Sequence, residues 1–314
     1  MTALTVLWNP SATSDAVMRA AFKAYSDLLT AVGVIKTADT GQIDLATAVA
    51  PGTATANTFV AVGYEVRRLQ AAGRPDILLK FTYGIVASTT STIATYRTSI
   101  QVQVGISSDG SGTLDGVNMT QLVSFYSSTS GPSSSVSTTI VRPLSMASDG
   151  QNYLSVINDP NGIAFTSGVK YGYLNFALER SVNASTGAYD AEAVISFNPF
   201  SQSTLNVVQV LNFVSGTAAA GGPFLGYQIP STLWTTSGSL TQATIMPVTV
   251  CVPTPKGPAR ATLLAFVSDV TPGGQYQVNM YGALVTYMAA GVPYDSTRVG
   301  GITASAVNVL LRFD

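Results

Sequence analysis

Histidine is absent from the 314 residues, cysteine occurs once, and charge is scarce. Without imidazole there is no Ser-His-Asp or Cys-His catalytic set and no His-ligated zinc or iron. Nor is there a side chain that ordinarily titrates between about pH 5 and 8. Cys251 alone can build neither an intramolecular disulfide nor a Cys-rich metal site. Lys and Arg number 15 against 16 Asp and Glu, a formal net charge of -1. Nucleic-acid binding, which needs a basic surface to displace counterions from phosphates, is therefore not expected. No stretch reaches the ~18 consecutive apolar residues of a membrane helix. No basic segment followed by an apolar run opens the chain, so neither membrane insertion nor a secretory signal is expected.

What is present is a chain 46% hydrophobic and only 10% charged. So little charge on a water-exposed protein predicts apolar surface hidden against a partner or further copies, hence a homo-oligomer. One segment reads as a helix. Ser14 can cap it, Asp15 suits its first turn, and Val17, Met18, Ala21, Phe22, Tyr25, Leu28, Leu29 and Val32 form an apolar stripe ending at Gly33. Leu4–Trp8 reads as a strand or an extended arm.

After Gly33 the pattern turns to β. Segments rich in Val, Ile, Thr, Phe and Tyr lie at 59–69, 77–86, 98–106, 121–127, 136–142, 153–157, 171–180, 191–197, 205–213, 245–252, 261–267, 275–287 and 307–313. Turn signals such as Ser148-Asp-Gly150 and Pro272-Gly-Gly274 separate them. The fold expected is mainly β: a β-sandwich or jelly roll of antiparallel sheets with one N-terminal amphipathic helix. Residues 1–40 form the arm and helix and 41–314 the body, with a subdivision near 215–223 left open. Ser127–Thr139 reads as an exposed Ser-rich loop.

Acid–base chemistry could come only from carboxylates, Lys, Tyr or Cys251. A glycan hydrolase needs two carboxylates across a cleft, and Glu179, Asp190 and Glu192 sit on or beside neighbouring strands. They read better as exposed strand-edge charges. Glu65 with Arg67 and Arg68 reads as a cross-strand ion pair. Asp109 and Asp115 are the metal candidates, in a segment resembling a calcium loop. Ser111 and Thr113 occupy the alternate positions and no closing Glu follows, so a hairpin is favoured. No cofactor is implied. The helix stripe, Phe22, Tyr25 and Leu29, is the candidate interface: it docks on a neighbour, or it covers the chain's own sheet.

Several phrases along the chain carry a family resemblance. They are Thr37-Ala-Asp-Thr-Gly-Gln-Ile-Asp44, Gly63-Tyr-Glu-Val-Arg67, Leu79-Lys-Phe-Thr-Tyr-Gly84 and Val104-Gly-Ile-Ser-Ser-Asp-Gly-Ser-Gly112, then Ser148-Asp-Gly-Gln-Asn-Tyr-Leu154, Asn175-Phe-Ala-Leu-Glu-Arg-Ser181 and Ala184-Ser-Thr-Gly187. Through them the chain resembles virion structural proteins of tailed bacteriophages over roughly residues 14–190, and it departs from that group at Arg67-Arg68, where an aromatic would be expected. The resemblance carries no catalytic signature. It implies a non-enzymatic component of the virion, assembled in the bacterial cytoplasm with copies of itself and other virion proteins. The tail or adsorption apparatus is the expected position, as fibre, baseplate or collar. The alternatives are a jelly-roll coat or decoration protein, and a receptor- or glycan-binding module using loops such as Ser127–Ser135 against a host-surface receptor.

Overall fold

The computed structural model describes residues 1–9, 11–12, 14–52, 59–87, 96–115, 118–124, 141–158, 175–183, 185–197, 208–212, 218–220, 245–251, 255–266, 270–280, 282–291 and 307–314. In chain order these form β1 (Thr2–Trp8), β2 (Ser11–Ala12), helix α1 (Asp15–Ala31), β3 (Ile35–Lys36), β4 (Phe59–Leu69), β5 (Ile77–Ala87) and β6 (Tyr96–Gly105). There follow β7 (Ser107–Ser108), β8 (Leu114–Asp115), β9 (Asn118–Ser124), β10 (Arg142–Ser148), β11 (Tyr153–Asn158), β12 (Phe176–Val182) and β13 (Tyr189–Phe197). The last are β14 (Val208–Asn212), β15 (Ala218–Ala220), β16 (Ile245–Cys251), β17 (Pro255–Phe266), β18 (Gln275–Met280), β19 (Ala283–Gly291) and β20 (Val307–Arg312). The protein is mainly β, and its sheets are antiparallel.

The helix forms for the reasons its sequence gives. Ser14 is extended and its Oγ accepts the Val17 N–H at 3.3 Å, while Gly33, at φ +85°, ends the helix in the left-handed region. Its apolar stripe faces inward. Phe22 packs on Tyr83 with ring centroids 5.0 Å apart, and Tyr25 meets Phe81 edge-on at 5.7 Å. Phe22, Tyr25 and Leu29 are each fully buried in the chain's own core. This corrects the reading of these three as a docking stripe for a neighbour: burying such large rings against Phe81 and Tyr83 leaves nothing to offer a partner.

Two large sheets enclose that helix, a third packs outside them, and β7 and β8 form a small fourth. A six-stranded sheet runs β2-β6-β5-β4-β3, with β9 also paired to β6. A seven-stranded sheet runs β1-β10-β11-β12-β13-β14-β15, and a five-stranded one β16-β17-β20-β19-β18. The main core lies where α1, the six-stranded sheet (Leu79, Phe81, Ile100, Val102, Val104) and one face of the seven-stranded sheet (Leu144, Met146, Val156, Leu178) meet. Ile100, Val102 and Val104 are core while Gln101 and Gln103 are only half-buried, as their alternation requires. The other face of β12 packs on β17 of the five-stranded sheet. Covered on both faces, β11 and β12 are buried along their whole lengths. The five-stranded sheet has its own small core of Leu263, Val285, Tyr287, Ala289 and Leu310. Residues 1–40 are thus integral: β1 lies at one end of the seven-stranded sheet and α1 inside the main core.

Several strand expectations shift in the structure. The run 275–287 is a hairpin, not one strand. Met280 pairs with Ala283, and the Asn279 side chain accepts the Gly282 N–H, turning the chain there. The expected strand 136–142 lies outside the described residues except for its last two, and the strand observed there, β10, runs through Pro143. Within 215–223 only Ala218–Ala220 is described, and it pairs with β14 in the seven-stranded sheet.

One turn depends on glycine. Gly112 sits at φ +86°, and a Cβ there would lie 2.1 Å from the Tyr64 ring. Tyr64 cannot easily yield, because its hydroxyl donates to the carbonyls of Thr40 and Ser111 at 2.7 and 2.6 Å. Gly112→Ala is expected to cost about 2 kcal/mol in denaturant unfolding, from left-handed backbone strain plus overlap. A loss below about 0.5 kcal/mol, the range of an ordinary surface change, would mean that the turn moves freely.

Candidate functional site

The described polar side chains gather in three centres. The first lies beneath α1. Glu65 and Arg67 are two apart on β4, so both project toward the helix, whereas Arg68 points the other way. Arg67 Nε lies 3.0 Å from Glu65 Oε1, and both side chains are almost fully buried. The sequence reading of a cross-strand pair is corrected to a same-strand pair, and Arg68 meets Asp76 instead at 3.3 Å. Ser26 of the helix donates to Glu65 Oε2 at 3.0 Å. Arg67 in turn donates to Thr30 Oγ1, the Val34 carbonyl and the Ser26 carbonyl at 2.8–2.9 Å. Lys36 approaches Glu65 from the half-exposed rim at 3.7 Å. The Tyr83 hydroxyl also donates to Glu65. Burial, and then the Glu65 charge, hold the Tyr25 and Tyr83 hydroxyls well above the ordinary phenol range. This pair bolts the helix to the sheet through charge-assisted hydrogen bonds.

The second centre joins the seven-stranded sheet to the five-stranded one. Glu179 on β12 is only 3% exposed. Its two carboxylate oxygens accept the backbone N–H groups of Arg260 and Ala261 on β17, at 3.0–3.1 Å. Burial pushes the carboxyl up to about 7, against the pull of the Ala261 and Arg260 amides and of the Arg312 and Arg260 cations. The reading of Glu179 as an exposed strand-edge charge is therefore corrected: β17 covers the face of β12 that bears it. Arg260 also donates to the Gly187 carbonyl at 3.0 Å, and its own carbonyl accepts the Tyr287 hydroxyl. Arg312 donates to Asp314 at 2.7 Å and lies 4.4 Å from the Tyr153 ring centroid, while the Tyr153 hydroxyl donates to the Asp314 carbonyl at 2.7 Å. Sequence reasoning missed Arg260, Arg312, Tyr153 and Tyr287. The available signal was an arginine set inside or at the end of an apolar strand, as in Val309-Leu-Leu-Arg312.

The third centre holds Asp109 and Asp115. Strands β7 and β8 form a small hairpin. Asp109 accepts the Ser111 and Thr113 N–H groups at 2.7 and 3.0 Å, and Asp115 accepts the Ser107 hydroxyl at 2.8 Å. The Ser111 side chain and these amides hold Asp109 far below the usual carboxylate range. Asp39 fastens the hairpin to the 37–44 loop by accepting the Ser108 hydroxyl and the Gly112 N–H. Partial burial works against ionisation of Asp39, but the hydrogen bonds from Ser108, Thr37 and Gly112 keep its carboxyl low.

The hydrolase trio occupies three different settings. Glu179 stands opposite Ile195 and faces β17, while Asp190 accepts from the Ser181 hydroxyl and Glu192 is exposed further along β13. Among the described residues no three His, Cys, Asp or Glu side chains are grouped to hold a metal ion. No described helix is long and apolar enough to cross a membrane. The loop 127–135 lies outside the described residues, as does the side chain of Cys251. The chain matches no protein-family model, no curated protein and no solved structure in comparisons of all three kinds.

Proposed function

We propose that the chain is a non-enzymatic structural subunit of a tailed-bacteriophage virion, working as a homo-oligomer on the tail or adsorption apparatus. The observation that carries this reading is where the buried charge goes. Glu65, Arg67, Glu179 and Arg312 each tie one layer of the protein to another or to backbone amides, ring faces and hydroxyls. Ionisable groups spent on bracing make a stiff block suited to stacking with copies of itself. The phage-like phrases at 37–44, 63–67 and 104–112 support the same reading, because they meet in one knot. Thr40 N–H donates to the Gly110 carbonyl, Ile43 N–H to the Tyr64 carbonyl, and Val66 N–H to the Gln42 side chain, all at 2.8–2.9 Å.

The finer fold we propose is a β-sandwich built from meanders. The sequential order of β10 to β15 favours this over a jelly roll, whose strands return by long crossings. Quantitative mass analysis of purified particles from the phage encoding this sequence tests the proposal. The chain is expected among the virion proteins, in tens of copies or fewer for a tail position; hundreds would move it to the shell. Its absence from intact particles would overturn the reading.

A further inference from the structure

We propose that β1 is the self-association strand of this protein. Two copies pair Ala3–Leu7 antiparallel about a two-fold axis, merging their seven-stranded sheets into one. The inference deepens the structural reading given above and rests on it for its setting in a particle.

Strand β1 ends the seven-stranded sheet and pairs only with β10 among the described strands. Its register with β10 runs without interruption from Thr2↔Ser148 to Trp8↔Arg142. Among the described residues its outer edge carries no further strand, and alternate residues between Ala3 and Leu7 offer backbone donors and acceptors there. Natural edge strands are usually blunted by shortness, charge, proline or a bulge. Most of the other described edges carry such protection: β2 has two residues, and β9 has a register shift against β6. β3 is two residues long and includes Lys36, and β15 has three residues. β16 contains Pro247 and two register shifts; β18 has none of these devices, but the side chains it exposes are the neutral polar Gln275, Gln277 and Asn279. β1 has none of these. It is uncharged, it lacks proline, and it leaves Leu7 72% and Leu4 38% exposed.

The occupant that fits is a second copy. A two-fold axis through Thr5 sets Thr5 against Thr5, Leu4 against Val6 and Ala3 against Leu7. Around its centre the pairing thus matches apolar with apolar and threonine with threonine, the cross-strand pairs that stabilise sheets. Because the strand carries no charge, self-pairing brings no like charges together. An isologous contact of this kind closes on itself and does not propagate into a filament.

Light scattering on the full-length protein, over roughly a hundredfold range of concentration, tests this against charged variants. The wild type is expected as a dimer. Thr5→Lys, at an exposed position on the axis, sets two ammonium groups face to face and should weaken the dimer about tenfold or more. Mixing Thr5→Lys with Thr5→Glu in equal amounts should restore wild-type affinity as a heterodimer, which a folding defect could not do. If Thr5→Lys loses its circular dichroism, Leu7→Lys takes its place against Ala3→Glu, the position that Leu7 faces across the axis. A monomeric wild type at every concentration, a Thr5→Lys dimer of wild-type affinity, or no rescue on mixing would each overturn the pairing. None of these results bears on whether the chain is found in virions, so this proposal and the structural reading fail separately.

Discussion

Alanine at Glu65 or at Arg67 is expected to cost about 3–5 kcal/mol of stability, the largest loss for any single change to a charged residue here. The magnitude follows from what is left behind. Removing Glu65 strands the buried Arg67 guanidinium, and removing Arg67 strands a carboxylate already shared by Ser26, Tyr83 and Lys36. An uncompensated buried charge is costlier than the net worth of the pair that neutralised it. The double variant Glu65→Ala/Arg67→Ala should therefore lose well under the sum of the two single losses, with a coupling of up to about 3 kcal/mol. Urea unfolding of the four proteins provides the cycle. Strict additivity would mean that the two side chains act independently and that helix α1 is held by its apolar stripe alone.

Stability is expected to fall as pH rises from about 5 to 8, by about 3 kcal/mol from Glu179 alone. The sign follows from the direction of the shift. Burial raises the folded carboxyl from the ordinary 4.5 to about 7. Folding thus favours the protonated form, and the associated stability is complete below about pH 4.5 and lost as pH climbs through about 7. Asp39, Asp44 and Asp109 are shifted the other way, below 3.8, so their contributions are lost only in more acidic solution. Glu179→Gln removes the titrating group and should flatten the profile between pH 5 and 8. A Gln variant that kept the wild-type slope would place the titration elsewhere. Absence of histidine excludes an imidazole switch in this window, yet a single carboxylate closed in between two sheets supplies a response in the same range.

The strands were legible in the sequence where one face is core and the other polar. The alternation of Ile100 to Val104 identifies β6, and Ser14 and Gly33 bound the helix within a residue. β10 was not legible. Pro143 and the small residues around it resemble a loop, and only its two neighbours, β1 and β11, make it a strand. The candidate site was less visible still. Whether Glu179 is a rim charge or a buried strut depends on β17, some eighty residues away in the chain, covering it. The same limit applied to Phe22, Tyr25 and Leu29: periodicity gives a stripe its identity but does not say which surface it meets. The pairing of Glu65 with Arg67 could have been read from period two alone, since residues two apart on a strand share a face.

The most direct test of the account is a reconstruction, at a resolution that traces β-strands, of the intact virion in which this chain is proposed to be a subunit. The account predicts several copies of this chain in contact with one another in the tail or adsorption apparatus, each with α1 enclosed beneath its own sheets. Particles whose density is fully explained by other proteins, with no copy of this chain, would contradict it.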